Sequence, residues 1–282
     1  MNSIFVDIIN RWMMVYVDDV IIYTKAFEEH LRAIEEVFRR LKKHGLYVKP
    51  TKCAFAQFSA RFLGYIVDHE GNRTDPLKVE AVRKYPAPIN VTETRGFLGL
   101  ASYYQRFVEG FAAITKPLNQ LLKKDAPFEW KEPQQKAFES LKDHLISSPV
   151  LERPDWNQPF TLQTDGSASG LGAVLTQKNA RGWDAVLSYA SKSTSRTESN
   201  YYAYKLELLV IVWAVENFHY YLIRRPFTIQ TDNQAITWLN NIKKEAKGQI
   251  ARWIMALLPY DITFTHRPGT ANSNADALSR IP

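Results

Sequence analysis

"PFTLQTDGSA", residues 159–168, is the stretch on which the fold of the second half of the chain depends. A second stretch, "PFTIQTDNQA" at 226–235, shares seven of its ten residues, but the flanking sequences do not match, so we do not interpret the pair as a duplication. Both stretches predict a strand that ends in an aspartate, Asp165 and Asp232. Because ligand sites in α/β sheets form at the carboxyl ends of strands, both are candidate site residues. A turn or helix-capping aspartate remains the alternative for each.

The elements around these stretches predict a mixed-sheet α/β domain. Short strands with glycine-bearing turns are predicted for "FTLQTDGS", "GLGAVLTQ" and "DAVLSYASK". They are followed by a long helix, "SNYYAYKLELLVIVWAVENFHYYL", the strand "FTIQTDN", the helices "AITWLNN" and "QIARWIMALL", the strand "DITFTHRP" and a short helix "SNADALSR". This order of elements gives a sheet with flanking helices.

A third carboxylate, Glu207, lies in the long helix within "LELLVIVWAV", where almost every neighbour is apolar. An isolated ionised carboxylate in such a helix costs several kcal/mol, so Glu207 needs a cation, a hydrogen-bonded partner or a raised pKa. A salt bridge to Lys205 or to a nearby arginine is the alternative to a functional role.

The last two candidates, Asp276 and His266, follow near the end of the chain, in "NADALSR" and "THRPG". Asp276 alone is an ordinary surface aspartate, and His266 alone is an ordinary loop histidine. Several carboxylates that converge at one end of a sheet repel each other unless a divalent metal is bound. They would then form an all-oxygen site for two Mg²⁺ ions, which clamp the attacking and leaving oxygens of a phosphodiester. His266 could help a leaving group depart.

The first half of the chain has a different pattern. Residues 12–24 predict a hairpin, with Asp18 and Asp19 at its turn. A helix ending near Gly45 follows, then strands over "LYVKPTKCAF" and "ARFLGYIVDHEGNRTD", the latter turning at Glu70 and Gly71. From about 75 to 147 the pattern is helical, with Thr92 or Thr94 as a helix cap. Residues 148–159 carry three prolines and resemble a linker.

Composition limits the class of protein and its partners. The 282 residues carry a net charge of +7, which favours an anionic partner, nucleic acid first. Cys53 is the only cysteine, so neither an internal disulfide nor a cysteine-based zinc site can form. There is no long apolar run and no signal-peptide layout, so we expect an intracellular, soluble chain with no membrane partner. The oligomeric state is left open.

The second half of the chain resembles the ribonuclease H domain of gypsy-class LTR-retrotransposon polyproteins. The resemblance rests on "TDGSASGLGAVLTQ", "SYASKSTSRTESNYYAYKLELLVIVWAV", "QTDNQAITWL" and "HRPGTANSNADALSR". It implies Mg²⁺-dependent cleavage of the RNA strand of RNA–DNA hybrids, with Mn²⁺ as a substitute ion. The metal-binding carboxylates would be Asp165, Glu207, Asp232 and Asp276. His266 and Asn272 match a histidine and an asparagine that precede the last carboxylate in related retroviral domains.

The first half resembles the palm and thumb of a gypsy-type reverse transcriptase. The matching stretches are "YVDDVIIYTKAFEEHLRAIEEVFRRLKKHGLYVKPTKCAFAQ", "FLGYIV", "TETRGFLGLASYYQRFV" and "KPLNQLL". Asp18 and Asp19 match the paired polymerase aspartates. The implied fold is α/β, a partial palm and helical thumb followed by a ribonuclease H-like mixed five-stranded sheet with flanking helices. The implied domains are palm 1–73, thumb 74–130, connecting segment 131–157 and ribonuclease H domain 158–282.

Three functions follow from the resemblance. Only 17 residues precede Asp18, whereas the family has well over a hundred, so we expect an N-terminally truncated chain with an inactive polymerase half and a working ribonuclease H. The alternative is a non-catalytic nucleic-acid-binding fragment or scaffold derived from a decayed element. The third is a polymerase completed by another chain.

Phosphate contacts of such a fragment would come from basic side chains of the front half. Lys49, Lys52 and Arg61 are the main candidates, with Lys42, Lys43, Arg83 and Lys84 beside them. Asn272 is a candidate nucleic-acid contact in the second half. For each lysine or arginine the alternative is a solvated surface charge.

Overall fold

The computed structural model describes the chain except residues 10, 125, 180, 233–247 and 267–282. It contains two compact units, Met1–Asp75 and Pro76–Pro282. Among the described residues, no helix has the length and apolar character needed to cross a membrane. The predicted elements "AITWLNN" and "SNADALSR" lie outside the described residues.

The first unit combines a hairpin, a long amphipathic helix and a small three-stranded antiparallel sheet. Its elements are α1 (Asn2–Phe5), β1 (Met13–Tyr16), β2 (Asp19–Ile22), α2 (Phe27–Lys43), β3 (Ser59–Phe62), β4 (Tyr65–Asp68) and β5 (Asn72–Thr74). The helix predicted to end near Gly45 is confirmed, and Gly45 has the positive φ, 67°, that glycine adopts without strain. A core of Phe5, Ile8, Met13, Val37 and Leu41 joins α1 and α2 to the hairpin.

The hairpin turn differs from the prediction by one residue. Tyr16 pairs with Asp19, so the turn consists of Val17 and Asp18, and Asp19 begins β2. A tight two-residue hairpin loop needs positive φ, and Val17 supplies it at 53°. For a β-branched residue this conformation is strained, at a cost of about 1–3 kcal/mol. Both aspartates are exposed at this turn.

The strand predicted over residues 46–55 is wrong, whereas the following strands are confirmed. Residues 46–55 contain only a single 3₁₀ turn, Pro50–Lys52, because Pro50 has no N–H to give to a strand ladder. The predicted turn at Glu70 and Gly71 joins β4 to β5, and there the N–H of Asp68 donates to the Gly71 carbonyl at 3.1 Å.

The second unit begins with helices. They are α3 (Pro76–Lys84), α4 (Val91–Ser102), α5 (Phe111–Ile114), α6 (Lys116–Gln120) and α7 (Glu132–Ile146), with a 3₁₀ turn at Gln105–Phe107. The predicted cap of α4 is wrong, because Asn90 caps it and not Thr92 or Thr94. The Asn90 side-chain oxygen accepts from the Glu93 N–H at 2.8 Å, and the Glu93 carboxylate accepts from the Ile89 N–H at 3.1 Å. The first bond satisfies an N–H that a helix start leaves unpaired, and the second ties the residue before the cap to the first turn.

A mixed five-stranded sheet forms the rest of the second unit, as predicted. Its strands are β6 (Phe160–Gly166), β7 (Gly170–Lys178), β8 (Asp184–Ser193), β9 (Pro226–Thr231) and β10 (Asp261–His266), in the order β10-β9-β6-β7-β8. β6, β9 and β10 are parallel, and β7 is antiparallel to both β6 and β8. Helices α8 (Ala203–Asn217), α9 (His219–Leu222) and α10 (Gly248–Leu257) complete the described part. The apolar core lies between the sheet and these helices.

The segment ahead of the sheet is attached to its edge strand, β8. The N–H of Glu152 donates to the Val186 carbonyl at 3.0 Å, and Leu151 beside it is fully buried. From the helical region, the N–H of Ala112 donates to the Ser191 hydroxyl at 2.9 Å. These contacts cover a strand edge that would otherwise expose unpaired backbone groups. The domain boundaries, including the connecting segment 131–157, stay predictions.

The cap of α4 gives a stability test. We expect Asn90→Ala to lower the free energy of unfolding by about 1 kcal/mol, because the Glu93 N–H loses its acceptor. Thr92→Ala is the matched control, since Thr92 is exposed and does not cap the helix. Urea unfolding followed by tryptophan fluorescence measures both variants. An equal loss in the two would contradict the assignment of Asn90 as the cap.

Candidate metal centre

Strand register places two of the predicted carboxylates side by side. In the parallel pair β6 and β9, Gln163 lies opposite Gln230, so the two "QTD" segments run in register. Each aspartate follows its glutamine by two residues. Asp165 and Asp232 therefore come to the same edge of the sheet, at the carboxyl ends of adjacent strands, where α/β proteins form ligand sites.

A glycine allows the helix that carries the third carboxylate to approach this edge. A Cβ atom on Gly166 would lie 3.0 Å from the Leu206 carbonyl oxygen and 3.3 Å from a methyl group of Val210. Only a residue without a side chain fits there without displacing the backbone of α8. The end of β6 and the first turns of α8 are thus in direct contact, and Glu207 reaches the aspartates.

Asp165, Glu207 and Asp232 form one cluster of carboxylates. One ligand oxygen from each lies within 4.8 Å of the others. Asp165 and Glu207 are both 5% exposed, whereas Asp232 is half-buried. An all-oxygen donor set of this kind suits Mg²⁺, which is bound through one or two carboxylates, waters and substrate phosphates. The residues present therefore fit the metal that the sequence predicts.

Glu207 is held by donors from both neighbouring strands and not by a salt bridge to Lys205. The Gly166 N–H donates to Glu207 Oε1, and the Thr231 hydroxyl donates to Oε2, both at 3.3 Å. Lys205 Nζ lies instead 3.6 Å from the centre of the Tyr201 ring and 5.8 Å from that of Trp253. Two residues apart on a helix, side chains point to nearly opposite faces, so this pairing was unavailable to Glu207.

The cluster strongly perturbs the Glu207 carboxyl. Burial, together with the negative charges of Asp165 and Asp232, raises the pKa of Glu207 to about 8. The hydrogen bonds from Gly166 and Thr231 act in the opposite direction without cancelling this effect. A divalent cation would offset the same repulsion, because it supplies the positive charge that the three carboxylates lack.

His266 lies at the same edge, at the end of β10. Its Nε2 is 3.1 Å from the main-chain carbonyl oxygen of Asp232. A carbonyl only accepts, so Nε2 carries the hydrogen, and Nδ1 is the nitrogen that can take up a proton in the neutral ring. The ring is exposed. Asp276 and Asn272, the other predicted residues of this site, lie outside the described residues.

The candidate residues of the first unit are all on its surface. Asp18 and Asp19 are exposed at the strained hairpin turn, and Lys49 and Lys52 are exposed around the 3₁₀ turn. Arg61 is exposed as well, with its Nε 3.8 Å from Asp75 Oδ1. Their exposure fits both contact with nucleic acid and simple solvation.

Two residues that orient Glu207 were missed at the level of sequence. Gly166 and Thr231 each stand beside a predicted carboxylate, in "TDG" and "QTD". The repeat of "QTD" was a signal for Thr231, but a threonine next to an aspartate does not reveal which way its hydroxyl points. That direction depends on the packing of α8 against the sheet.

The raised pKa of Glu207 predicts a pH dependence of stability in metal-free protein. The pKa of this carboxyl is about 4.5 in the unfolded chain and about 8 in the folded chain. Between pH 4.5 and pH 8 the folded state therefore binds more protons than the unfolded state. Its contribution to the free energy of unfolding is full below pH 4.5 and is lost as pH rises to about 8.

Urea unfolding in EDTA at a series of pH values measures this effect. We expect Glu207→Gln to show a smaller fall in stability across this range than the unsubstituted chain. Glu216→Gln is the matched control, because Glu216 is an exposed carboxylate on the same helix. Identical pH profiles for Glu207→Gln and the unsubstituted chain would contradict the burial and repulsion assigned to Glu207.

Comparison with known protein families matches both halves of the chain. Residues 1–67 match the family model described as reverse transcriptase (RNA-dependent DNA polymerase). Residues 130–229 match the model described as the RNase H-like domain found in reverse transcriptase. The second match covers Asp165 and Glu207, and the first covers the hairpin with Asp18 and Asp19.

Curated relatives match the chain over almost all its length. The retrovirus-related Pol polyprotein from transposon 297 of Drosophila melanogaster is 40% identical over 282 residues, which is 100% of this chain and 26% of that protein. The Pol polyprotein from transposon gypsy of the same organism is 38% identical over 96% of the chain and 27% of its own length. The transposon Tf2-3 polyprotein of Schizosaccharomyces pombe is 33% identical over 99% of this chain and 21% of its own length. The chain thus spans about a quarter of the length of these relatives.

Solved structures share the fold. The foamy viral protease-reverse transcriptase in complex with an RNA/DNA hybrid superposes with a TM-score of 0.82 at 22% identity, covering 100% of this chain and 38% of the other. A complex of the dRH form with double-stranded DNA superposes with a TM-score of 0.81 at 23% identity, covering 94% of this chain and 47% of the other. At this level of identity the likeness concerns the fold alone.

The two matched segments contain the Asp-Asp hairpin and two of the three clustered carboxylates, and the relatives align with almost the whole chain. This chain belongs to the reverse transcriptase and RNase H-like family of LTR-retrotransposon Pol polyproteins.

Proposed function

We propose that the chain is a metal-dependent ribonuclease H that cuts the RNA strand of RNA–DNA hybrids. The observation that carries this proposal is the convergence of Asp165, Glu207 and Asp232, with oxygens within 4.8 Å of each other. Three buried or half-buried carboxylates in contact are costly without a cation. Related structures hold an RNA/DNA hybrid or double-stranded DNA, which supports nucleic acid as the partner.

The protein groups would divide the work as follows. Asp165, Glu207, Asp232 and Asp276 would hold two Mg²⁺ ions, with Mn²⁺ as a substitute. Mg²⁺ bound there supplies an activated water and a counter-charge for the phosphate. The backbone amide of Gly166 keeps Glu207 turned towards the site.

His266 would have a separate role in helping the leaving group depart. With Nε2 engaged by the Asp232 carbonyl, the ring is held at the rim of the cluster. Its other nitrogen, Nδ1, can hold a proton for the leaving oxygen. Asn272 would contact the nucleic acid.

Hybrid cleavage tests the proposal directly. We expect RNA labelled at its 5′ end and paired with DNA to be cut with Mg²⁺, and not with EDTA or when paired with RNA. Asp165→Asn and Glu207→Gln should each lower the rate at least about a hundredfold, because each removes a metal ligand. Asp184→Asn and Glu216→Gln are the matched controls, since Asp184 pairs with Lys178 away from the cluster. His266→Ala should slow cleavage without abolishing it.

A second function, binding of nucleic acid without cleavage, is favoured by one observation. The chain carries a net charge of +7, and Lys49, Lys52 and Arg61 are exposed. Phosphate contacts made by such residues weaken steeply with salt. Folded protein that binds the hybrid in a salt-dependent way, but does not cut it with Mg²⁺ or Mn²⁺, would establish this function in place of the first.

The polymerase half contributes Asp18 and Asp19. We propose that this chain alone does not extend a primer, because the family's palm needs a third carboxylate that does not match Asp7 or another residue here. Asp7, in the turn after α1, is engaged by Arg40 of α2, 2.5 Å away, in an ion pair. Primer extension by the 282-residue chain alone would overturn this.

An intracellular location also stays a prediction.

A further inference from the structure

The side chain of Thr231 makes a direct contact with Glu207. Its hydroxyl donates to Glu207 Oε2 at 3.3 Å, while the Gly166 N–H donates to Oε1 of the same carboxylate. Thr231 is completely buried. Glu207 on α8 is therefore bracketed by one donor from the end of β6 and one from the end of β9.

The bracket limits how Glu207 can rotate. The last torsion of a glutamate side chain is broad and roughly two-fold, so hydrogen bonds to both oxygens narrow its range. Here the two donors come from different strands, which fixes the plane of the carboxylate relative to Asp165 and Asp232. Each oxygen has a second lone pair, so the bracket leaves room for a cation.

The repeated "QTD" segment provides an internal comparison. Thr164 stands in the same position on β6 as Thr231 on β9 and is also completely buried. Among the described residues, the Thr164 hydroxyl has no hydrogen-bond partner. The same residue in the same motif thus reaches Glu207 from β9 and not from β6.

We propose that Thr231 is a positioning residue that holds the Glu207 carboxylate in the orientation needed to bind a divalent cation. The inference rests on the proposed function, since it takes the three carboxylates as the metal site. Groups that hydrogen-bond a metal ligand orient it, and their loss typically weakens metal binding about 10- to 100-fold.

Mn²⁺ binding to the 282-residue chain tests the role of Thr231 without relying on activity. The electron paramagnetic resonance signal of free Mn²⁺ gives the affinity, and Asp165→Asn identifies which bound ions belong to the cluster. We expect Thr231→Val, which keeps the shape and removes the hydroxyl, to weaken this binding about tenfold or more. Thr231→Ser, which keeps the hydroxyl, should bind within about twofold of the unsubstituted chain.

Thr164→Val is the matched control, because it makes the same substitution on the neighbouring strand. It should leave Mn²⁺ affinity unchanged. Equal affinities for Thr231→Val and Thr164→Val would overturn the inference while leaving the ribonuclease proposal intact. A chain that binds no Mn²⁺ at the cluster would overturn both.

Thr231→Ala serves as a second variant without the hydroxyl, in case valine disturbs the packing of α8. Circular dichroism and the melting temperature show whether each variant is folded. The inference requires both hydroxyl-free variants that fold to bind Mn²⁺ more weakly than Thr231→Ser. A purely structural role would change the melting temperature and leave the affinity of the folded protein as it was.

Discussion

The parallel register between β6 and β9 is the constraint on which the site depends. With Gln163 opposite Gln230, the two strands end at the same level, and their terminal aspartates meet. A shift of one residue would send one aspartate to the other face of the sheet, because side chains alternate along a strand. The buried apolar residues of both strands hold this register, since the same slip would also expose the core. Fold stability and site geometry are therefore coupled through one strand pair.

Placing three carboxylates close together costs free energy, and local hydrogen-bond donors offset part of this cost. Glu207 enters a nearly apolar environment beside two aspartates, and its pKa rises to about 8. The Gly166 amide and the Thr231 hydroxyl partly compensate by donating to its two oxygens. Such neutral donors orient the carboxylate without filling the place of a cation. The arrangement thus combines a defined geometry with a concentration of negative charge that favours cation binding.

The two acidic sites of the chain differ in their surroundings. The carboxylate cluster of Asp165, Glu207 and Asp232 is built from three separate elements and is largely buried. Asp18 and Asp19 are neighbours in sequence and are exposed at a hairpin turn where Val17 has a positive φ of 53°. Neighbours in sequence need only a turn to come together, whereas Asp165, Glu207 and Asp232 need the whole sheet and α8. The Asp-Asp pair thus depends on a local turn of the first unit, whereas the carboxylate cluster depends on the tertiary packing of the second unit.

Several features of the protein were determined by local sequence alone. The change of hydrophobic period predicted the strands and helices of the second unit, and the apolar surroundings of Glu207 predicted a buried carboxylate that needs a partner. The local pattern gave a wrong prediction in two places. Residues 46–55 form no strand, since Pro50 lacks the N–H that a strand ladder needs. The cap of α4 is Asn90, since its side chain reaches the Glu93 N–H.

Which partner each buried group has was decided only by tertiary structure. Lys205 is close to Glu207 in sequence but packs on Tyr201 and Trp253, while Thr231, 24 residues away, bonds to it. The close approach of α8 to the end of β6 decides this, through the space that Gly166 leaves. Periodicity specifies which face of an element is buried. It does not specify which residue of another element lies opposite, because that depends on how the elements pack.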